Sequence, residues 1–292
     1  MRYAWIKDHC RLFPKAVMCK VLTVSTSGYY DSIKRLPCPQ QIRRRSIAQA
    51  AAHSYFESNR IYGYRKVYED LRQEQIICCD QTVRRIMREI GLYAHIKRKF
   101  VVTTDSNHTL QTADNLLDRN FTAKRPNQKW AADITYIPTK QGWLYLAVVM
   151  DLFSRRIVGW SMSENIDSKL VQSAMEMAIQ HRNPNAGLIH HSDRGIQYAS
   201  EGFQDLLTAN KCVCSMSRKG NCWDNACAES FFGSLKNEWI RGKIYETYEE
   251  GKNDVFKYVE VFYNRKRRHA SLGYVSPAVY EEMYEMKQEQ AA

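Results

Sequence analysis

The sequence predicts an α/β protein: a mixed sheet with helices on its faces, in the order β-β-β-α-β-α-β-α over residues 130–241, preceded by an all-helical, helix-turn-helix-like region at residues 1–100. Three observations carry this. Apolar residues recur with helical spacing through Ile90 and give way to β-branched and aromatic runs from Trp130. Those runs come first as hairpin-connected strands and then alternate with helical segments, which is how a sheet covered by helices is built. The charge is also lopsided. Residues 1–130 hold 24 Lys and Arg against 11 Asp and Glu, and residues 131–292 hold 19 against 20, so nearly all of the net +12 lies in the first part.

In chain order, Pro14 to Leu22 is an apolar-periodic stretch, and Val24 to Tyr30 is a turn leading into a second helix. Ile42 to Glu57 reads as a helix. Arg65 to Gln75 is amphipathic, with Val67 and Leu71 at i, i+4. Asp80 stands at an N-cap position before Gln81 to Ile90, and Gly91 follows as the C′ residue. That last helix sets Arg84, Arg85 and Arg88 beside Val83, Ile86 and Ile90, one face basic and one apolar, as the recognition helix of a helix-turn-helix would be. A bundle of solvated arginines would read the same locally; the charge asymmetry favours a polyanion such as DNA. Residues 101–129, introduced by Lys97-Arg98-Lys99, lack periodicity and read as a linker.

Trp130 to Ile137, Trp143 to Met150 and Arg156 to Met162 read as three strands in meander order, with a turn at Pro138 to Gly142 and a corner at Ser154-Arg155. Ser168 to His181 is a helix, Leu188 to His191 a fourth strand, Ser200 to Asn210 a helix, and Val213 to Met216 a fifth strand. Asp224 or Asn225 caps a final long helix reaching Ile240. Residues 242–292 read as a basic, mostly helical C-terminal tail containing Arg265 to Arg268.

Length and composition bound the rest. A chain of 292 residues has room for roughly two domains. Its 44% hydrophobic content excludes a disordered chain, and no apolar run reaches the ~18 residues of a membrane span. Met1 to Lys20 lacks the apolar core of a signal peptide, so cytoplasm is expected. The nine cysteines (10, 19, 38, 78, 79, 212, 214, 222 and 227) form no C-x-x-C pair, which argues against disulfides and structural zinc and for buried thiols.

Three acids carry the chemistry. Asp133 sits mid-strand in Ala131-Ala132-Asp133-Ile134, where a charge among apolar neighbours is costly unless paired or bound to metal. Asp193 follows the fourth strand, at the end where α/β sheets place functional groups. Glu229 lies on the last helix among small and aromatic residues. Phosphodiester chemistry asks for such a set, because carboxylates hold the hard Mg²⁺ ions that neutralise phosphate charge and help deprotonate the attacking oxygen. Asp151 and Asp224 compete for these places; local reading makes Asp151 a turn residue bonding near Arg155 or Arg156, and Asp224 a helix cap.

The stretches WAADITYI, VVMDLFSRRIVGW, HHSDRGIQYAS, SMSRKGNCWDNACAESFFGSLKNE and YNRKRRHASLGYVSP, with the upstream YGYRKVYEDLRQEQIICCDQTVRRIMREIGL, resemble the second-frame (OrfB) transposase subunit of the IS-three group of bacterial insertion sequences. The likeness spans nearly the whole chain. It implies a ribonuclease-H-like, integrase-type core with Asp133, Asp193 and Glu229 as the catalytic triad. It also implies Mg²⁺- or Mn²⁺-dependent cleavage at insertion-sequence ends and strand transfer into target DNA, with two ions expected, Asp133 bridging them. It places a DNA contact at Lys236, seven residues beyond Glu229. Arg218, Lys219, Arg265, Arg267 and Arg268 are further expected phosphate contacts. The family joins a first-frame subunit (OrfA) to this one by frameshifting; the chain from Met1 lacks sustained heptads, so it reads as the second-frame product alone, acting as an oligomer on DNA. A nuclease of the same fold without strand transfer, and an inactive DNA-binding regulator, are the rival readings.

Overall fold

A computed structural model describes residues 2–94, 113–218 and 222–291. The sheet holds five strands: β1 (Lys129–Thr139), β2 (Gly142–Asp151), β3 (Ile157–Ser163), β4 (Ile189–Ser192) and β5 (Val213–Met216), in the order β3-β2-β1-β4-β5. β1 pairs antiparallel with β2 from Trp130↔Asp151 to Thr139↔Gly142, and β2 pairs antiparallel with β3. β4 and β5 join parallel on the other side. The sheet is therefore mixed, with β1 at its centre.

Strand alternation sends the side chains of β1 to two faces. Trp130, Ala132 and Ile134 pack with Val149, Val158 and the apolar side of α7 (Ser168–Arg182), namely Leu170, Val171, Ala174, Met175 and Ala178, and with Phe203 and Leu207 of α8 (Glu201–Ala209). Ala131 and Ile137 face the other way, with Leu144, Leu146 and Val148. That second face is closed by α9 (Ala226–Ser234), its π-helical continuation Leu235–Ile240, α10 (Tyr248–Phe256) and a second π-helical stretch Lys257–Tyr263. Phe231, Leu235, Val255, Tyr258, Val259 and Tyr263 are all buried there.

Residues 242–292 are thus no tail. Their helices complete one layer of the core, and α11 (Pro277–Ala291) is anchored by the buried Glu281. Nor are they basic, with eight Lys and Arg against nine Asp and Glu. The expected linker has two parts. Its start, with Lys97-Arg98-Lys99, lies outside the described residues, while 113–128 runs along the sheet with Leu117 buried, and Leu116 donates its N–H to Ser215 Oγ at 2.9 Å.

Ahead of the sheet stand six helices: α1 (Arg2–Asp8), α2 (Lys15–Val21), α3 (Thr26–Lys34), α4 (Pro39–Glu57), α5 (Tyr64–Gln73) and α6 (Asp80–Glu89). α1 to α3 share a small core of Ile6, Met18, Cys19 and Tyr29. α4 to α6 bury Ile47, Val67, Leu71, Val83 and Ile86 in a cluster continuous with the α9–α10 face of the sheet. Gly91 ends α6 with φ +73°, the left-handed conformation glycine adopts at no steric cost. Among the described residues no helix is long and apolar enough to cross a membrane.

Candidate active site

Asp133 and Asp193 owe their proximity to register. β1 and β4 run parallel with Ala131 paired to His191; Asp133 stands two residues further along β1, and Asp193 is the first residue past the end of β4. Neighbouring strands lie about 4.8 Å apart, so the two carboxylates leave the sheet side by side. Asp133 Oδ1 accepts a hydrogen bond from the Ile134 N–H at 2.8 Å, and Asp193 Oδ1 accepts one from the Gly195 N–H at 2.9 Å. A Cβ at position 195 would stand 2.9 Å from that same Oδ1, so the tight turn after β4 needs glycine there. Glu229 arrives from the other side: α9 packs on β1, and Asn225 at its start donates its side-chain N–H to the Ala132 carbonyl at 3.1 Å. The half-buried Glu229 follows one helical turn later.

The electrostatics identify what this corner lacks. Burial holds Asp133 well above the usual carboxylate range, and the negative charges of Asp193 and Glu229 push it the same way, opposed by the Ile134 N–H and by Lys236. Burial also raises Glu229. Asp133 makes no ion pair among the described residues. A half-buried cluster of acids in like-charge company is stabilised by a bound cation. The donors are all carboxylate oxygens, which suits Mg²⁺ or Mn²⁺ rather than a soft metal. Among the described residues no three His, Cys, Asp or Glu side chains are gathered closely enough to enclose an ion. That spacing still fits Mg²⁺, which keeps several waters and is held by one or two carboxylates together with substrate phosphate.

The two competing acids have other partners. The Asp151 backbone N–H donates to the Arg156 carbonyl at 2.8 Å, near where the sequence placed its bonding, but its carboxylate is engaged elsewhere. It is buried, accepts the N–H groups of Asn127 (2.7 Å) and Phe153 (2.9 Å), and pairs with Arg182 at 3.4 Å. Burial raises it to about 6 against those bonds. Asp224 caps no helix. It lies in a 3-10 turn, Cys222–Asn225, and is bonded by Arg218 (backbone N–H and Nε, both 3.0 Å), Arg119 (3.1 Å) and Asn115 (2.9 Å). The Arg218 side chain, first among these, holds it below the carboxylate range.

The basic residues divide in the same way. Arg84, Arg85 and Arg88 are exposed on α6 and line, with Gln81, Glu89 and Tyr93, an open groove of about 520 Å³. Arg218 is exposed but engaged with Asp224 and, at 3.2 Å, with Asp118; Lys219 lies outside the described residues. Arg265 is exposed. Arg267, expected at a DNA surface, is buried instead, with Nε and Nη2 each 2.6 Å from Glu238. Arg268 is likewise taken up internally, bonded to Asp70 and Gln73 of α5 at 2.5 Å each. Neither is free to reach a phosphate. Lys236 lies beside the acids, its Nζ 4.3 Å from the Tyr136 ring centroid, and burial lowers its pKa while Asp133 raises it. Sequence reasoning offered Asn225 as the cap of the last helix, and it is the N-cap of α9, but did not foresee its bond to β1; Tyr136 and Trp143 were not singled out. Strand register was the signal for the aromatic pair, since Trp143 and Tyr136 are diagonal neighbours on β2 and β1.

Comparison with known proteins adds ancestry to this geometry. The family described as "Integrase core domain" matches residues 123–222, a second model of that description matches 229–284, and an "HTH-like domain" matches 42–100. The chain is 41% identical over 284 residues to "Transposase InsF for insertion sequence IS3A" of Escherichia coli (strain K12), covering 96% of this chain and 98% of that protein. It is 40% identical over 267 residues to "Insertion element IS600 uncharacterized 31 kDa protein" of Shigella sonnei, covering 91% and 98%. Among solved structures, the HTLV-2 integrase catalytic core domain in complex with magnesium (trimeric form) aligns at TM-score 0.43 with 18% identity, over 55% of this chain and 99% of that one.

Proposed function

This chain belongs to the insertion-sequence transposases that carry an integrase core, and we propose that Asp133, Asp193 and Glu229 are the acids with which it performs DNA cleavage and strand transfer. The observation that supports the assignment is the parallel pairing of β1 with β4, which leads Asp133 and Asp193 out from neighbouring strands close enough for their charges to interact, with Glu229 brought against β1 by α9. Asp133, Asp193 and Glu229 would hold Mg²⁺ or Mn²⁺, two ions in this reading, which would supply charge neutralisation at the scissile phosphate and a more acidic attacking hydroxyl. The protein's own part is to hold the three carboxylates ionised and aimed, and the Ile134 and Gly195 N–H groups do this for the two aspartates. Lys236 places a positive charge near Asp133, which would offset the repulsion between the acids and a DNA phosphate.

DNA binding extends from this centre. Arg84, Arg85 and Arg88 of α6 enter a DNA groove at the insertion-sequence end, with residues 1–100 as the DNA-binding region and 130–241 as the catalytic core. Arg218, Lys219 and Arg265 add phosphate contacts. The protein acts in the cytoplasm, with the first-frame subunit as fusion or partner, and as an oligomer, because transposition holds two DNA ends together. Labelled insertion-sequence ends, a target plasmid and Mg²⁺ test the whole reading. Joined products are expected. Cleavage without joining would indicate a nuclease, binding alone a regulator, and full joining by Asp193→Asn would remove the triad.

A further inference from the structure

Along β1 from Asp133, toward the β1–β2 turn and linked to the acid by Lys236, lies an aromatic shelf that the reaction as described does not use. Trp143, at the start of β2, leaves 51% of its surface exposed. Its indole meets the Tyr136 ring nearly edge-on, with centroids 4.7 Å apart and planes at 78°. Lys236 Nζ sits over that same Tyr136 ring at 4.3 Å and feels the charge of Asp133 three residues back along β1. A single exposed tryptophan needs no explanation. A half-exposed indole held at a fixed angle, next to a cation that borders a catalytic carboxylate, is a more specific arrangement.

The shelf is also held in place. The β1–β2 turn that carries Trp143 is tied to the segment leading into α10. The Lys140 N–H donates to the Tyr245 carbonyl at 2.8 Å, the Tyr248 N–H donates to Gln141 Oε1 at 2.7 Å, and the Tyr248 hydroxyl donates to the Gln141 carbonyl at 2.7 Å. A Cβ on Gly142 would stand 2.7 Å from that hydroxyl, so the contact depends on glycine next to Trp143. An aromatic surface fixed before its ligand arrives loses little entropy on binding.

The chemistry on either side of the shelf selects the ligand. A cation suits a phosphate, an open indole suits a flat π-system, and a nucleotide presents both within one residue. Bases inside a duplex have no free π-face, so only an unpaired or extruded base fits. We propose that Trp143, braced by Tyr136, stacks an unpaired nucleobase of the DNA end while Lys236 holds the phosphate of the same nucleotide. The proposal rests on the reading of Asp133, Asp193 and Glu229 as the cleavage centre.

The test uses the full-length chain and pre-cleaved insertion-end oligonucleotides carrying 2-aminopurine at successive terminal positions. One position is expected to be quenched on binding, more deeply than in the free DNA. Trp143→Ala should lose that quench and bind about tenfold more weakly, a loss in the range of one base–aromatic stack, while Trp143→Phe retains both. An abasic nucleotide at that position should bring wild type and Trp143→Ala to equal affinity. An unchanged quench in Trp143→Ala, or an affinity loss that persists on the abasic DNA, would overturn the proposal. Asp133→Asn separates the two readings: it is expected to abolish joining and keep the quench. Normal joining by Asp133→Asn would sink the triad, whatever the fluorescence reports of the shelf.

Discussion

Two acids three rungs apart on the β1–β2 pair are treated in opposite ways. Asp151, paired across the strands with Trp130, meets Arg182, which also bonds Glu281 at 2.8 and 2.9 Å, while Arg156 and Ser154 complete the set around Glu281 at 2.7 Å each. Further along β1, Asp133 stands in the company of Asp193 and Glu229, with Lys236 as its opposing cation. The Asp151 set is a satisfied ion network and holds the fold together. Asp133 instead sits in like-charge company that, with burial, raises its pKa. Burial alone therefore does not distinguish the two acids; what does is that Asp151 has Arg182 as its partner while Asp133 is surrounded by like charge.

The largest test of this contrast is Asp133→Asn. Joining should fall by at least ~10³-fold, since several kcal/mol of transition-state charge stabilisation are lost. The melting temperature of the metal-free protein should rise at neutral pH, because one of the crowded charges is gone. A fall in melting temperature would mean that Asp133 belongs with the structural acids. Arg182→Met probes the Asp151 network. It leaves Glu281 and Asp151 without their shared cation, and a loss of about 3–5 kcal/mol in denaturant unfolding is expected, with little change in joining per folded molecule.

Acid sharpens the comparison less severely. Glu281 is held below its ordinary value by Arg182, Ser154 and Arg156 against the opposing effect of burial, and Asp224 is held low by Arg218 and Arg119. A carboxylate with a depressed folded pKa contributes stability that is present above its unfolded value and lost as pH falls through the folded one. Melting temperature should therefore drop steeply below about pH 4.5, the ordinary glutamate range, and less steeply in Glu281→Gln. The smallest effect concerns the arginines. Arg88→Ala on the exposed face of α6 should weaken end binding and reduce the slope of log affinity against log salt by about one. An unchanged slope would remove α6 from the DNA surface.

What the sequence made legible follows from the range over which each feature acts. The five strands, and α7 and α8 between them, lie within a few residues of expectation, because alternation and helical spacing are local signals. Asp133 was conspicuous as a charge in an apolar strand. Its difference from Asp151 was not, since the partner that decides the matter, Arg182, lies 31 residues away in sequence. The same holds for Arg267 and Arg268. A run of four basic residues looks like a surface until Glu238 and Asp70 are found beside it, 29 and 198 residues distant. The C-terminal helices read as a tail because amphipathic spacing does not say which surface a helix will cover. α1 was not anticipated, its seven residues mixing charge with single apolar side chains.

The clamp on Glu281 has a consequence for how such genes decay. The carboxylate that Arg182 and Arg156 grip is made after every strand, both aspartates and Glu229 have been synthesised. A copy interrupted after codon 229 but before codon 281 encodes Asp133, Asp193 and Glu229 and yet leaves Arg182 and Arg156 without the anion that neutralises them. Damaged copies of this gene should therefore yield proteins that are cleared from the cell before they can break its chromosome.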